Sequence, residues 1–98
     1  MTPFRELDPL LHSQLRLAIM SILISVDSAD FIYLREKTEA TAGNLSVQIG
    51  KLKEAGYISV SKSFGESYPQ TMCRITGLGR KKFAEYVAAL NDYLNPEG

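Results

Sequence analysis

Apolar residues keep a helical spacing in four stretches of the chain and change to alternation in one. Leu15, Ile19, Ile22 and Leu23, extended by Ala18 and Val26, share one side of a 3.6-residue helix. Asp8-Pro9 reads as the start of that stretch, a capping side chain followed by proline at the first helical position, so the first helix is expected over 8–25. Ser13 offers a second cap, which allows a short turn before the main helix. Residues 1–7 carry little pattern and read as a loose lead-in, and Val26-Asp27-Ser28-Ala29 reads as a linker. Asp30 can cap a short second helix over 30–38, with Phe31 and Leu34 on its apolar face. After a break at Glu39-Ala40, Thr41 caps a third helix over 41–55 that carries Leu45, Ile49 and Leu52. Gly56 ends it as a left-handed residue.

From Tyr57 to Lys62 the period shortens to two, with Ile58 and Val60 on one face. Phe64-Gly65-Glu66-Ser67-Tyr68-Pro69 is rich in turn formers, and Thr71 to Ile75 suits a returning strand. The result is a hairpin over 57–75 whose loop of roughly eight residues exceeds the usual 2–5 or so. Thr76 caps a last helix over 76–94, with Phe83, Val87, Leu90 and Leu94 on one stripe and Asn95-Pro96 as its stop. The order is three helices, a hairpin and a helix. The fold class is α+β, mostly α, with helices 2 and 3 joined by a tight turn as in a helix-turn-helix.

A chain of 98 residues with 45% hydrophobic content can build one small core and fits one domain over 1–98. The longest apolar run, Leu15 to Val26, is interrupted by Arg16, Ser21 and Ser25 and is too short for a membrane span. No leader pattern opens the chain. The lone Cys73 can form neither an internal disulfide nor a paired-cysteine metal site, which fits a reducing cytoplasm. It falls in the second strand of the hairpin and reads as a buried, inert thiol. His12, without a second histidine or ligands at suitable spacing, reads as a capping or surface imidazole, and no metal or cofactor is expected. The serines lack a nucleophile elbow, and Gly77-Leu78-Gly79 is too short for a dinucleotide fingerprint, so no catalytic constellation is present.

The formal net charge is zero, but it is unevenly spread. Residues 1–40 carry −2, residues 41–82 carry +5 and residues 83–98 carry −3. A basic middle between acidic ends can give a one-faced electrostatic footprint. The third helix adds chemistry to that charge. Stepping about 100° per residue puts Leu45, Ile49 and Leu52 within about 60° of one another. Gly43, Ser46, Val47, Gly50, Lys51 and Glu54 fall opposite, with Asn44 and Gln48 on a flank. A surface that is small and hydrogen-bonding at one end and basic at the other suits a DNA major groove. Asn44 and Gln48 can pair with adenine edges, and Val47 can touch a thymine methyl. Gly50 costs the helix ~1 kcal/mol relative to alanine, which points to a need for close approach.

The run Leu45 to Ile58, which ends Leu52-Lys53-Glu54-Ala55-Gly56-Tyr57-Ile58, resembles the recognition helix and first wing strand of MarR/ArsR-like winged-helix regulators. Cys73 to Arg80 is similar to their second wing strand and the start of the helix after it, and Ser13 to Ile19 to the opening helix of their short, single-domain members. The resemblance spans residues 8–94. It implies a three-helix core, a β-hairpin wing and a C-terminal dimerisation helix, in a homodimer that binds a pseudo-palindromic operator and regulates transcription. Recognition-helix contacts would fall on Thr41, Gly43, Asn44, Ser46, Val47, Gln48 and Lys51. Wing and phosphate contacts would fall on Lys53, Lys62, Ser63, Tyr68, Gln70, Arg80 and Lys81. The wing tip departs from the family pattern, with Glu66, Ser67, Tyr68 and Gln70 in place of an arginine.

The first and last helices carry more apolar residues than a small core needs. Leu11, Leu17, Met20 and Ile24, with Phe83, Tyr86, Val87, Leu90, Tyr93 and Leu94, are therefore expected at the dimer interface. The neutral total charge and the arginine-poor wing keep an alternative open: a winged-helix protein–protein interaction module without DNA binding. A small-molecule effector in the dimer cleft is compatible with the regulator reading, and no residue pattern names one.

Overall fold

The computed structural model describes residues 3–64 and 69–97. Its elements are α1 (Gln14–Val26), β1 (Ser28–Asp30), α2 (Phe31–Thr38), α3 (Ala42–Glu54), β2 (Ile58–Phe64), β3 (Pro69–Ile75) and α4 (Gly77–Leu94). Three helix starts follow from side chains that satisfy otherwise orphaned amides. Asp30 accepts from the Tyr33 N–H at 2.7 Å, Thr41 from Asn44 at 3.2 Å and Thr76 from Gly79 at 3.0 Å. Ahead of α1, Asp8 organises a turn, its carboxylate accepting from the Leu10 N–H and its carbonyl from Leu11 and His12. The first helix thus begins at Gln14, six residues later than Asp8-Pro9 suggests.

The sheet is where expectation and structure part. The segment read as a linker contains β1, which pairs antiparallel with β3 in the register Ser28↔Arg74, Ala29↔Cys73, Asp30↔Met72. β3 also pairs with β2, from Ile58↔Ile75 to Phe64↔Pro69, so the strand order is β1-β3-β2. The strands of the hairpin are longer than their composition suggests. Ser63 and Gln70 are cross-strand partners rather than loop residues, and only residues 65–68 separate the two strands. Gly65, Glu66, Ser67 and Tyr68 lie outside the described residues, so the expected Tyr68 contact has no structural counterpart here.

One apolar cluster joins the elements. Leu11, Ile19, Met20, Leu23, Leu34, Leu45, Leu52 and Cys73 are its fully buried members. Gly56, at φ 83°, turns the chain out of α3 as its C-terminal glycine. The joint between α3 and α4 is tight. The Thr76 N–H and hydroxyl donate to the carbonyls of Tyr57 and Gly56 at 3.1 and 2.6 Å. A Cβ built on Gly79 would sit 2.1 Å from the Tyr57 carbonyl oxygen, so only glycine lets α4 close on the strand root.

The lead-in is not loose over its described part. Arg5 pairs with Asp92 at 3.0 Å, the Tyr93 hydroxyl donates to the Arg5 carbonyl at 2.7 Å, and the Phe4 ring meets Tyr93 edge-on at 5.3 Å. These contacts hold the segment before α1 against the far end of α4.

Candidate nucleic-acid interface

α3 turns one face inward and the other to solvent. Leu45, Ile49 and Leu52 are buried against the rest of the core, as their spacing predicts. Thr41, Gly43, Asn44, Ser46, Val47, Gly50, Lys51 and Lys53 are all exposed. Val47 keeps 54% of its surface in solvent, high for a branched apolar side chain. Nothing lies within 4 Å of where a Cβ would stand on Gly43 or Gly50, so neither glycine makes room for a neighbour inside the chain. The outer surface of α3 is open at both positions.

The Asn44–Gln48 flank is more constrained. Gln48 is half-buried, its Oε1 accepts from the Arg16 guanidinium, and its Nε2 donates to Asn44 Oδ1 at 3.0 Å. Arg16 is in turn fixed by a 2.6 Å bond from its Nε to the Leu10 carbonyl. The expectation that both amides read bases meets a constraint at Gln48, which is half-buried and has one bond within the chain at each polar end, leaving one lone pair and one N–H. Sequence reasoning missed Arg16. The available signal was an arginine interrupting an otherwise apolar helix.

Residues 15–94 match the model of a winged helix DNA-binding domain family. This chain belongs to that family. An uncharacterized protein of Methanocaldococcus jannaschii is 34% identical over 76 residues, which is 78% of this chain and 83% of the relative. Among solved structures, a transcriptional regulator homologue from Pyrococcus horikoshii OT3 is similar with a TM-score of 0.84 and 25% identity, covering 89% of this chain and 86% of that one. A possible transcriptional regulator from Methanosarcina mazei Go1 shares the fold at a TM-score of 0.62 and 16% identity, over 90% and 78% of the two chains. The winged-helix family is one of DNA-binding domains.

In the winged-helix fold α3 takes the place of the recognition helix and the β2–β3 hairpin the place of the wing. The wing residues named from sequence do not form one surface. Ladder pairs alternate between faces, so Ser63 and Gln70 share one side with Ser59 and Arg74, while Lys62 and Thr71 lie on the other. Arg74 is an exposed cation on that first side which sequence reasoning did not select. The remaining cations also differ in availability. Arg80 is bonded to Asp27 at the end of α1, and Lys82 lies 3.7 Å from Glu85. Among the described residues Lys51, Lys53, Lys62 and Lys81 form no ion pair. Arg80 therefore links the end of α1 to α4 while staying exposed, and unlike the four lysines it has a carboxylate partner within the chain.

The expected interface list also needs correction. Leu11 and Met20 have no exposed surface, and Tyr86 has almost none. They complete the winged-helix core of a single chain and have nothing left to offer a second copy. Leu17, Ile24, Phe83 and Leu90 are partly buried against that core. Val87, Tyr93 and Leu94 remain exposed, Leu94 at 72%.

Neither remaining chemical group suggests reactivity. The Cys73 thiol is fully buried in the central strand, and burial, aided by the Asp30 carboxylate, pushes its pKa up to about 11. His12 Nδ1 lies 2.9 Å from the Tyr86 hydroxyl and ties the turn before α1 to α4. No group of described residues could hold a metal ion, and no described helix is long and apolar enough to cross a membrane.

Proposed function

We propose that this protein is a sequence-specific transcriptional regulator that binds DNA as a homodimer, with α3 in the major groove. The open outer face of α3 carries the proposal. Asn44, Ser46 and Lys51 supply hydrogen bonds and charge, Val47 supplies a methyl contact, and Gly43 and Gly50 let the backbone approach the bases. Lys51, Lys53 and Lys81 are available for phosphates, and Lys62 is available on one side of the wing. The sequence run from Leu45 to Ile58 supports a MarR/ArsR-like member of the winged-helix family. The regulator homologue from Pyrococcus horikoshii supports a role in transcription.

Assembly would use α4. Val87 and Leu94 are exposed beside the half-buried Phe83 and Leu90 with Tyr93 on the same helix, and Leu17 and Ile24 of α1 are further apolar residues only partly buried against the core. A second copy covering this stripe makes a two-fold dimer, and two copies of α3 then reach successive major grooves ~34–36 Å apart on a pseudo-palindromic site. The lone buried thiol suits a cytoplasmic location.

An electrophoretic shift assay tests the proposal, using sites selected from a random DNA pool and repeated over a range of salt. Enrichment of an inverted repeat is expected, with affinity that falls steeply as salt rises. A pool that enriches no site, or binding indifferent to salt, would remove the regulator reading.

A further inference from the structure

The α1–α3 contact bears on which bases the recognition helix reads. Arginine carries hydrogen-bond donors only, so the atom of Gln48 that faces Arg16 has to be its oxygen. The Gln48 amide nitrogen is then on the other branch, where it donates to Asn44. What it meets there has to be the Asn44 oxygen. The Asn44 Nδ2 group, with its two N–H bonds, is left on the branch away from Gln48. Asn44 is exposed on the flank of α3, one turn from the helix start. A free asparagine can turn its amide over and satisfy either a donor or an acceptor. In this chain a donor-only side chain on another helix fixes the sense of two successive amides.

We infer that Arg16 is a specificity-positioning residue: through Gln48 it fixes the Asn44 amide with its N–H groups outward, so that Asn44 selects a base offering an acceptor in the major groove. This rests on α3 being the base-reading helix, as proposed above. The acceptors available there are guanine O6 and N7, adenine N7 and thymine O4, and the base refused is cytosine, which presents only its N4 donor. Arg16 itself touches no base. Its Nε bond to the Leu10 carbonyl keeps it against the turn that precedes α1, so the donor arrives from a fixed direction.

Selection of bound DNA from a random pool tests this with the full chain and four variants. Asn44→Ala first locates the base pair that Asn44 reads, as the position whose preference disappears. In the wild type that position should exclude cytosine by roughly tenfold or more. Arg16→Met should flatten the preference at that position alone, to within roughly threefold, because the amide becomes free to turn over. Gln48→Ala breaks the relay without disturbing the Arg16–Leu10 bond and should flatten the same position, which keeps the test valid if Arg16→Met fails to fold. Arg16→Glu, which offers an acceptor where the donor stood, should reverse both amides and move the preference toward cytosine. Thermal melts identify any variant that is simply unfolded. A wild-type pool with no enriched site would sink the base-reading role and this inference together. An enriched wild-type site whose profile is unchanged in Arg16→Met or Gln48→Ala would overturn the inference alone, as would Gln48→Ala flattening a different position from Asn44→Ala.

Discussion

α3 and α4 are both amphipathic, yet they dispose of their apolar residues differently. Every apolar position on the repeating stripe of α3 is inside the chain's own core, and what remains outward is polar or small, apart from Val47. α4 buries Gly79, Tyr86 and Ala89 and leaves Val87 and Leu94 in solvent, 47% and 72% exposed. One helix is fully accounted for by a single chain and the other is not. Exposed surface on α3 therefore suits a charged, hydrogen-bonding partner, whereas exposed surface on α4 suits a second apolar face.

The largest expected effect falls on α4. The double variant Val87→Glu, Leu94→Glu would bury uncompensated charges in the proposed dimer contact, at a cost of about 3–5 kcal/mol, or more than about a hundredfold in dissociation constant. Sedimentation equilibrium should find monomers whose thermal unfolding matches that of an undisturbed domain, because neither residue belongs to the core. A dimer of unaltered strength would mean that the stripe is not the contact. Glutamate at Leu90 would be a poorer probe, since that residue also packs on the core.

Glycines sharpen the same contrast. Gly79→Ala forces a methyl against the Tyr57 carbonyl and should destabilise the fold by about 1–3 kcal/mol, as overpacking usually does. Gly50→Ala meets nothing within 4 Å and should stabilise the free protein by about 1 kcal/mol. The same variant should lose about tenfold in DNA affinity if the groove wall approaches the helix at Gly50. Calorimetry and shift assays on one preparation distinguish these two signs. A Gly50→Ala protein that is more stable and binds as well as the wild type would remove close approach as the reason for that glycine. Lys51→Ala should have a smaller effect, reducing the slope of log affinity against log salt by about one.

How far the sequence revealed this depends on the range of the forces involved. α3 was legible because its determinants are local: a capping threonine, a 3.6-residue apolar period and a left-handed glycine. β1 was not, because Ser28–Asp30 has no alternation of its own and becomes a strand only by pairing with the free edge of β3. The wing ladder runs further than its residue types predict for a similar reason. Ser63 and Gln70 look like loop residues, but the register set near the core carries the pairing outward through them. In α4 the periodicity identified the apolar residues correctly and could not say which ones the domain would use internally. Tyr86 and Val87 are neighbours in sequence, yet one is core and the other is surface. The Arg16–Gln48–Asn44 relay joins residues 28 to 32 positions apart on two helices, and only the packing of α1 on α3 brings them together.

The smallest predicted effect concerns the joint through which α3 and α4 are connected, and it appears at high pH. Tyr57 follows Gly56, its carbonyl is held by Thr76, and its hydroxyl donates to the Asp8 carboxylate at 2.6 Å. Burial, reinforced by that hydrogen bond and by the negative charges of Asp8 and Glu85, pushes its pKa from 10.0 up to about 12. A raised pKa in the folded state means that the folded chain holds this proton more tightly than the unfolded one. The stabilisation is complete below pH 10 and is lost as pH rises from 10 through about 12. Cys73, raised from 9.0 to about 11, acts in the same direction over an overlapping range, so the wild-type curve alone cannot assign the loss. Comparison with Tyr57→Phe can, since Cys73 is common to both. The stability difference between the two proteins should be constant from pH 7 to 9 and shrink between pH 10 and 12. Asp8→Asn should leave the onset near pH 10 and lower the upper end of the range only part of the way, because burial, which it leaves in place, is the leading cause. A difference that stays constant to pH 12 would mean that the joint between the two helices does not depend on a neutral Tyr57.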